Sequence, residues 1–516
     1  MTLRANSNIT VLYIFGMEKT HEKTIKRRSQ QIDMLHGPLL KKLLTFALPL
    51  AASGLLQMLF NSADVAVIGW FETSAAQAAV NSNGPLINLL INLFAGLSVG
   101  VTVVIAGYIG RSDTDDVHSV VLTSAVVAGV SGVILLALGM LVAEPLLTLM
   151  DTPPEVLALA AQYLRIYFAG MPFIMVYNFG AAILRSVGDT RRPLYVLIGA
   201  GVLNVGLNIL FVALFKMSVA GVATATLISD AVSAAFVVAF VMRDKMLRIR
   251  RGSEIRGKYL KKIFAIGMPA GLQGMVFSLS NVIIQATING FGEKAMAGSG
   301  DAIYFENYMY FFVSAFSQTA VTFMGQNYAA GEFERCKRIF WLNMAASLII
   351  SGVLSVVFVA GGRAFIRIYT SDEQAIEYAL LRMRTVLIAG MLTCTYEIAG
   401  GALRGIGNSL LPAIITVVGS CVFRIVWIYA VLPHVGGTYT MLVIVYPISW
   451  AITGAVMLVT YFAIAAKKLK RPPAPPPDLA ENLSETPPLP DGDIVEQTQA
   501  EQASAGACAQ AGDDLA

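Results

Sequence analysis

The chain has 516 residues, 56% of them hydrophobic and only 14% charged. Soluble domains carry about a quarter charged residues, so this composition excludes a soluble protein and places the chain in a membrane, with the lipid bilayer as its main partner. A formal net charge of +4 is too small to argue for nucleic acid. Four cysteines without CxxC spacing and four scattered histidines give no metal cluster.

Residues 1–36 read as a cytoplasmic N-terminal segment whose apolar run, 9–16, is too short to cross a bilayer. Twelve apolar stretches of spanning length follow, at about 44–71, 77–109, 117–145, 156–187, 192–215, 218–242, 264–290, 295–327, 337–361, 374–406, 411–433 and 438–465. The predicted fold is an all-α polytopic membrane protein. It divides into a six-helix lobe over 37–242, a basic cytoplasmic linker over 243–262 (RDKMLRIRRGSEIRGKYLKK) and a second six-helix lobe over 263–466. The Pro-rich tail, 467–516, reads as disordered and cytoplasmic.

The two halves repeat. Leu48, Pro49, Gly54, Asn61 and Phe71 return 220 residues later as Met268, Pro269, Gly274, Asn281 and Phe291. ILRSVGDTRRP at 183–193 returns as ALRGIGNSLLP at 402–412. Six spans is an even number, so both halves enter the membrane in the same direction and form parallel repeats. Lys and Arg concentrate before span 1 and after spans 4, 6, 8 and 12. The positive-inside rule then puts both termini in the cytoplasm of a multi-pass protein of the cell (inner) membrane.

The chemistry starts in span 1. Ser53, Gln57, Asn61 and Asp64 are spaced four, four and three, and share about one quadrant of a helix. A polar edge on an apolar helix cannot face lipid, and an ionised acid there costs several kcal/mol unless it is paired, hydrated or protonated. Asn178 in span 4, Asn204 and Asn208 in span 5, and Thr226 and Asp230 in span 6 form a polar column that Asp64 caps. Oxygen ligands of this kind suit a hard cation or a relayed proton, and helix–helix hydrogen bonding by the same amides is the alternative.

The second half does not copy this column. Ile284 stands for Asp64, Phe423 and Trp427 for Asn204 and Asn208, and Glu397 for Asn178. Arg424 lies at similar depth to Glu397, so a buried pair competes there with a functional role. The first half is therefore the expected ion-coupling half. Gln57, Asn61, Tyr177, Asn281, Gln285, Glu306 and Glu397 are the expected lining of a substrate cavity. GSEIRGKY at 252–259 approaches a phosphate loop, but Tyr259 replaces the Ser or Thr that binds magnesium and no strand precedes it. With no nucleotide site, any pumping runs on an ion gradient.

The doubled LRSVGDTRRP and LRGIGNSLLP, the prolines of spans 1 and 7, the Asp after FNSA, and GQNYAAGEFERCKR at 325–338 together resemble the multidrug and toxic compound extrusion (MATE) family over about residues 37–465. The resemblance implies a V-shaped pair of lobes around a cavity that opens alternately to either side. It implies a monomer, not an enzyme, that exports cationic lipophilic small molecules by antiport with H⁺ or Na⁺ and needs no cofactor. Family members use an acid in span 1, polar residues in spans 4 and 5, and a Thr in span 6. These roles carry over to Asp64, Asn178, Asn204 and Asn208, which would hold a Na⁺ if one couples, and to Thr226. Asp230 is not a family position, and Asn281 and Gln285 stand where some members place a span-7 acid. A flippase of lipid-linked oligosaccharides, from the same broad superfamily, is the alternative. It would call for several cavity arginines, of which the sequence places only Arg424 near mid-membrane. A membrane enzyme would need clustered catalytic residues that the sequence does not show.

Overall fold

A computed structural model describes residues 31–149 and 152–470. Most of the expected N-terminal segment and nearly all of the expected tail lie outside the described residues. Within them the chain folds as twelve helical spans. Those of the first half are Leu39–Phe71; Gly84–Gly110, led in by the short helix Ser74–Ser82; Thr114–Leu149; Pro154–Ala169 with Met171–Ser186; Arg191–Asn208, extended by a π turn over Ile209–Leu214; and Ser218–Arg243. Those of the second half are Gly257–Asn289; Glu293–Ala329; Phe333–Ala360; Glu373–Arg382 with Thr393–Gly405; a segment from Leu410 to His434; and Val445–Lys468. Span 4 bends by 47° between its two helices, where Gly170 and then Pro172 interrupt the ladder.

Ten of these helices, and span 4 as a bent pair, are long and apolar enough to cross a membrane on composition alone. Span 8 is the exception. It runs 37 residues, but Asp301, Glu306, Gln318 and its aromatic hydroxyls dilute its hydropathy. It packs against spans 1, 2, 9 and 10 and buries Ser299, Ser317, Thr319, Thr322, Gln326 and Asn327 against protein, which is how a polar helix is tolerated among lipid-facing ones.

The repeated motifs build the same turn twice. At the end of span 4, Asp189 N donates to Leu184 O (3.1 Å) and Gly188 N to Arg185 O (2.9 Å). At the end of span 10, Asn408 N donates to Leu403 O (2.9 Å) and Gly407 N to Arg404 O (2.9 Å). This pair of bonds is a Schellman cap, and both central glycines sit at φ +85°, where a Cβ is strained. The copies differ in what they touch. A Cβ on Gly188 would lie 2.6 Å from Ile32 O, whereas Gly407 faces open space. Asp189 caps the next helix through Arg192 N (3.0 Å) and pairs with the Arg192 side chain (3.1 Å).

Each lobe has its own apolar core, but the cores exchange their leading helices. The start of span 1, Leu39 to Ala51, packs into the second lobe, and Tyr259, Ile263 and Ile266 at the start of span 7 pack into the first. Between the crossing points, Gly96 and Gly100 of span 2 meet Gly267 and Gly271 of span 7. A Cβ on Gly96 would lie 2.1 Å from Gly271 N, and one on Gly271 would lie 2.0 Å from Leu93 O. Lipid gives helices no hydrophobic reason to associate, so small residues that let backbones touch supply the attraction. GQNYAAGEFERCKR closes the same end. Gln326 Nε2 donates to Ser186 O (2.6 Å), Asn327 Nδ2 to Met34 O (3.1 Å), and the Arg335 guanidinium to the carbonyls of Met34, His36 and Gly37. The lobes are thus sealed at the end where span 1 begins and span 12 finishes. Towards the far end of span 1, Gln57 and Asn61 are exposed and line a cavity.

Candidate functional site: a polar cavity in each lobe

Span 1 approaches span 5 closely because Phe60 lays its ring over Gly201, where a Cβ would lie 1.9 Å from the ring. One turn further along, Asp64 meets Asn208. Asp64 is 7% exposed, and its Oδ1 accepts a 2.5 Å hydrogen bond from Asn208 Nδ2. Asn208 Nδ2 also donates to Asn204 Oδ1 (3.1 Å), Asn204 Nδ2 to Thr226 Oγ1 (3.2 Å), and Thr226 Oγ1 to Val222 O (3.1 Å). Four of the predicted residues, from three spans, therefore form one hydrogen-bonded chain. Two features leave it unfinished. Among the described residues no lysine or arginine pairs with Asp64, and the buried Asn208 Oδ1 has no hydrogen-bond partner. A buried acid beside an idle amide oxygen is poised for a positive charge, either a proton or a small hard cation.

Asp64, Asn204 and Thr226 line a cavity of about 290 Å³ together with Asn178, Asp230, Gln57, Asn61 and Tyr177. All the first-lobe candidates thus reach one space, with Asn208 directly behind Asp64. Ser53, the first member of the polar edge, turns instead to its own helix and donates to Pro49 O (2.9 Å). The sequence reading omitted Asn88, Ser229 and Tyr167, which line the same wall. Tyr167 stacks on Tyr163 with centroids 6.0 Å apart, an i,i+4 aromatic pair that the sequence does carry.

Three of the four second-lobe candidates, Asn281, Gln285 and Glu306, line a separate cavity of about 360 Å³. Glu397 does not line it; it accepts from Tyr310 Oη (3.1 Å). The expected Glu397–Arg424 pair does not form. Tyr310 holds the acid, and Arg424 is held elsewhere, by Ser449 Oγ (2.9 Å) and the ring of Tyr446 (4.4 Å). The pair that does form is one the sequence reading missed: Arg382 Nε to Glu306 Oε1 at 2.6 Å and Nη2 to Oε2 at 3.0 Å. Arg382 Nη1 also donates to Ser299 Oγ (3.0 Å). The second lobe therefore buries two arginines near its cavity where the sequence reading placed one.

Both cavities occur within a chain whose sequence matches the MatE family model twice, over residues 49–210 and 269–430. The matches start at Pro49 and Pro269, the prolines that head the repeat. Among curated proteins, the chain is 26% identical to a probable multidrug resistance protein, YoeA, of Bacillus subtilis, covering 82% of this chain and 93% of that one. It is 28% identical to the probable multidrug resistance protein NorM of Thermotoga maritima, covering 73% and 82% respectively. Its fold matches an outward-facing multidrug resistance MATE family transporter with a TM-score of 0.80, at 21% identity over 85% of this chain and 98% of that one. Twelve spans in two repeats, two family matches in register with those repeats and relatives matched over most of their length lead to one conclusion: the chain is a transporter of the multidrug and toxic compound extrusion family.

Proposed function

We propose that this transporter exports lipophilic, cationic small molecules from the cell in exchange for an inward-moving H⁺ or Na⁺, and that Asp64 is the group the ion neutralises. The observation that carries this reading is the isolation of Asp64: buried, bonded to an amide, and without a cation of its own. A carboxylate so placed is stabilised when a proton or Na⁺ arrives. A cationic substrate in the same cavity would compensate the same charge, so ion and substrate compete and each favours a different state of the two lobes. Asn208, Asn204, Thr226 and Asn178 orient the acid or supply further oxygens, and Asp230 adds a second negative charge to the wall. The seal at the terminal-bearing end, taken with the positive-inside orientation, supports an outward-open state with both termini cytoplasmic, and we take the transporter to act as a monomer in the cell membrane. No cofactor is required, because the gradient supplies the work.

Purified transporter in liposomes, given a pH gradient or a Na⁺ gradient separately, tests the coupling. One imposed gradient is expected to drive uptake of a fluorescent lipophilic cation and the other not; transport at the same rate without either gradient would contradict the antiport reading. The flippase reading weakens on the second-lobe geometry. A lipid-linked anionic headgroup calls for several uncompensated arginines, and Glu306 already neutralises Arg382.

A further inference from the structure

The second-lobe cavity has a buried guanidinium in its wall, that of Arg424. Arg424 is 1% exposed. It sits in span 11 between two π turns, Val417–Val422 and Trp427–Val431, and lines the cavity. Its Nε donates to Ser449 Oγ (2.9 Å), while its Nη2 is buried with no hydrogen-bond partner. Among the described residues no carboxylate lies within ion-pair distance. The two nearby acids are occupied, Glu306 by Arg382 and Glu397 by Tyr310. Aromatic rings hold the guanidinium in place, with Tyr446 at 4.4 Å, Trp450 at 5.5 Å and Phe277 at 5.9 Å. A second orphan stands beside it: Trp450 Nε1, on a buried ring that lines the same cavity, also lacks a partner.

Two unsatisfied donors, one of them charged, are costly in a buried wall unless an acceptor arrives to meet them. The acceptor that suits a planar guanidinium is an oxyanion, and a carboxylate matches its fork. Beside Arg424, Phe277, Tyr446 and Trp450 present aromatic faces, Asn281, Gln285 and the Arg382–Glu306 pair form a polar wall, and about 360 Å³ lies at the small end of ligand pockets. We propose that this cavity binds a small aromatic carboxylate, its oxygens on Arg424 and Trp450 and its ring among these side chains. The binding claim stands independently of ion coupling in the first lobe. It rests on the transport reading only in taking this cavity to open alternately to either side of the membrane.

Calorimetry on the purified transporter tests it, with 1-naphthoate as the probe and uncharged 1-naphthylmethanol as its counterpart. Wild type is expected to bind the carboxylate saturably and the alcohol at least about tenfold more weakly. Arg424→Gln, which keeps a donor for Ser449, should weaken naphthoate by about tenfold or more. Ile284→Glu keeps the guanidinium and places a tethered carboxylate on the same cavity wall, so it should block naphthoate as strongly; it decides the question if Arg424→Gln does not survive purification. Asp64→Asn, which the transport reading expects to uncouple efflux, should bind naphthoate within about twofold of wild type. Equal naphthoate binding by wild type and both second-lobe variants would overturn the proposal, as would equal affinity for the alcohol. Loss of naphthoate binding in Asp64→Asn would also overturn it, by placing the site in the first lobe.

Discussion

Asp64 and Arg424 are opposite cases of one problem, a buried charge that no oppositely charged group among the described residues pairs with. Arg382 shows the ordinary solution, a two-bond pair with Glu306 and a further bond to Ser299. The contrast gives a stability prediction. Arg382→Gln strands the Glu306 carboxylate, and breaking a buried pair in this way costs about 3–5 kcal/mol, so its thermal midpoint in detergent should fall clearly below that of the wild type. Arg424→Gln removes a charge with no partner and should leave the midpoint unchanged or raised. Equal destabilisation of the two variants would mean that Arg424 is structurally paired after all. Glu397→Gln keeps an oxygen for Tyr310 Oη and should be mild in both stability and transport. The first-lobe chain was legible residue by residue, because Asn204 and Asn208 lie one helical turn apart and Asp64 closes a polar edge. The Arg382–Glu306 pair was not. The two residues are 76 positions apart, and nothing in either helix alone says that they meet.

At the scale of the helix, the places where the regular ladder gives way are the places the sequence misreads. Repeat matching sets Phe423 and Trp427 opposite Asn204 and Asn208. The π turn before Phe423 winds with a longer hydrogen-bonded ring and shifts the phase, so Arg424 and Ile428 are buried while Phe423 and Trp427 are only half-buried. The paired LRSVGD and LRGIGN motifs were legible as a repeat, and their glycines as turn residues. That Gly188 also seats the backbone of Ile32 needed the fold. The seam of Gly96, Gly100, Gly267 and Gly271 supports a prediction of its own. Gly271→Leu cannot keep the backbone contact with Leu93 and must part spans 2 and 7. A cysteine introduced at Ile263, buried on the sealed side of span 7, should then label faster with a membrane-impermeant thiol reagent applied from the terminal-bearing side. Unchanged labelling would show that the seam does not hold that end closed.

For the whole molecule, the two lobes share a framework and differ in charge. Their motifs, prolines and turns repeat, yet one cavity presents Asp64 and Asp230 and the other presents Arg382 and Arg424 with Glu306. Twelve spans and the repeat follow from periodicity and offset, which a linear sequence records well. The crossing of spans 1 and 7 into each other's cores, and the division of the cavity residues between two spaces, depend on distances between helices that it does not record. The central claim is that the charge on Asp64 couples the gradient to export. The most direct measurement is gradient-driven efflux by Asp64→Asn in liposomes, with folding verified by gel filtration. The account predicts that imposed gradients no longer accelerate transport although the protein is intact; acceleration equal to that of the wild type would contradict it.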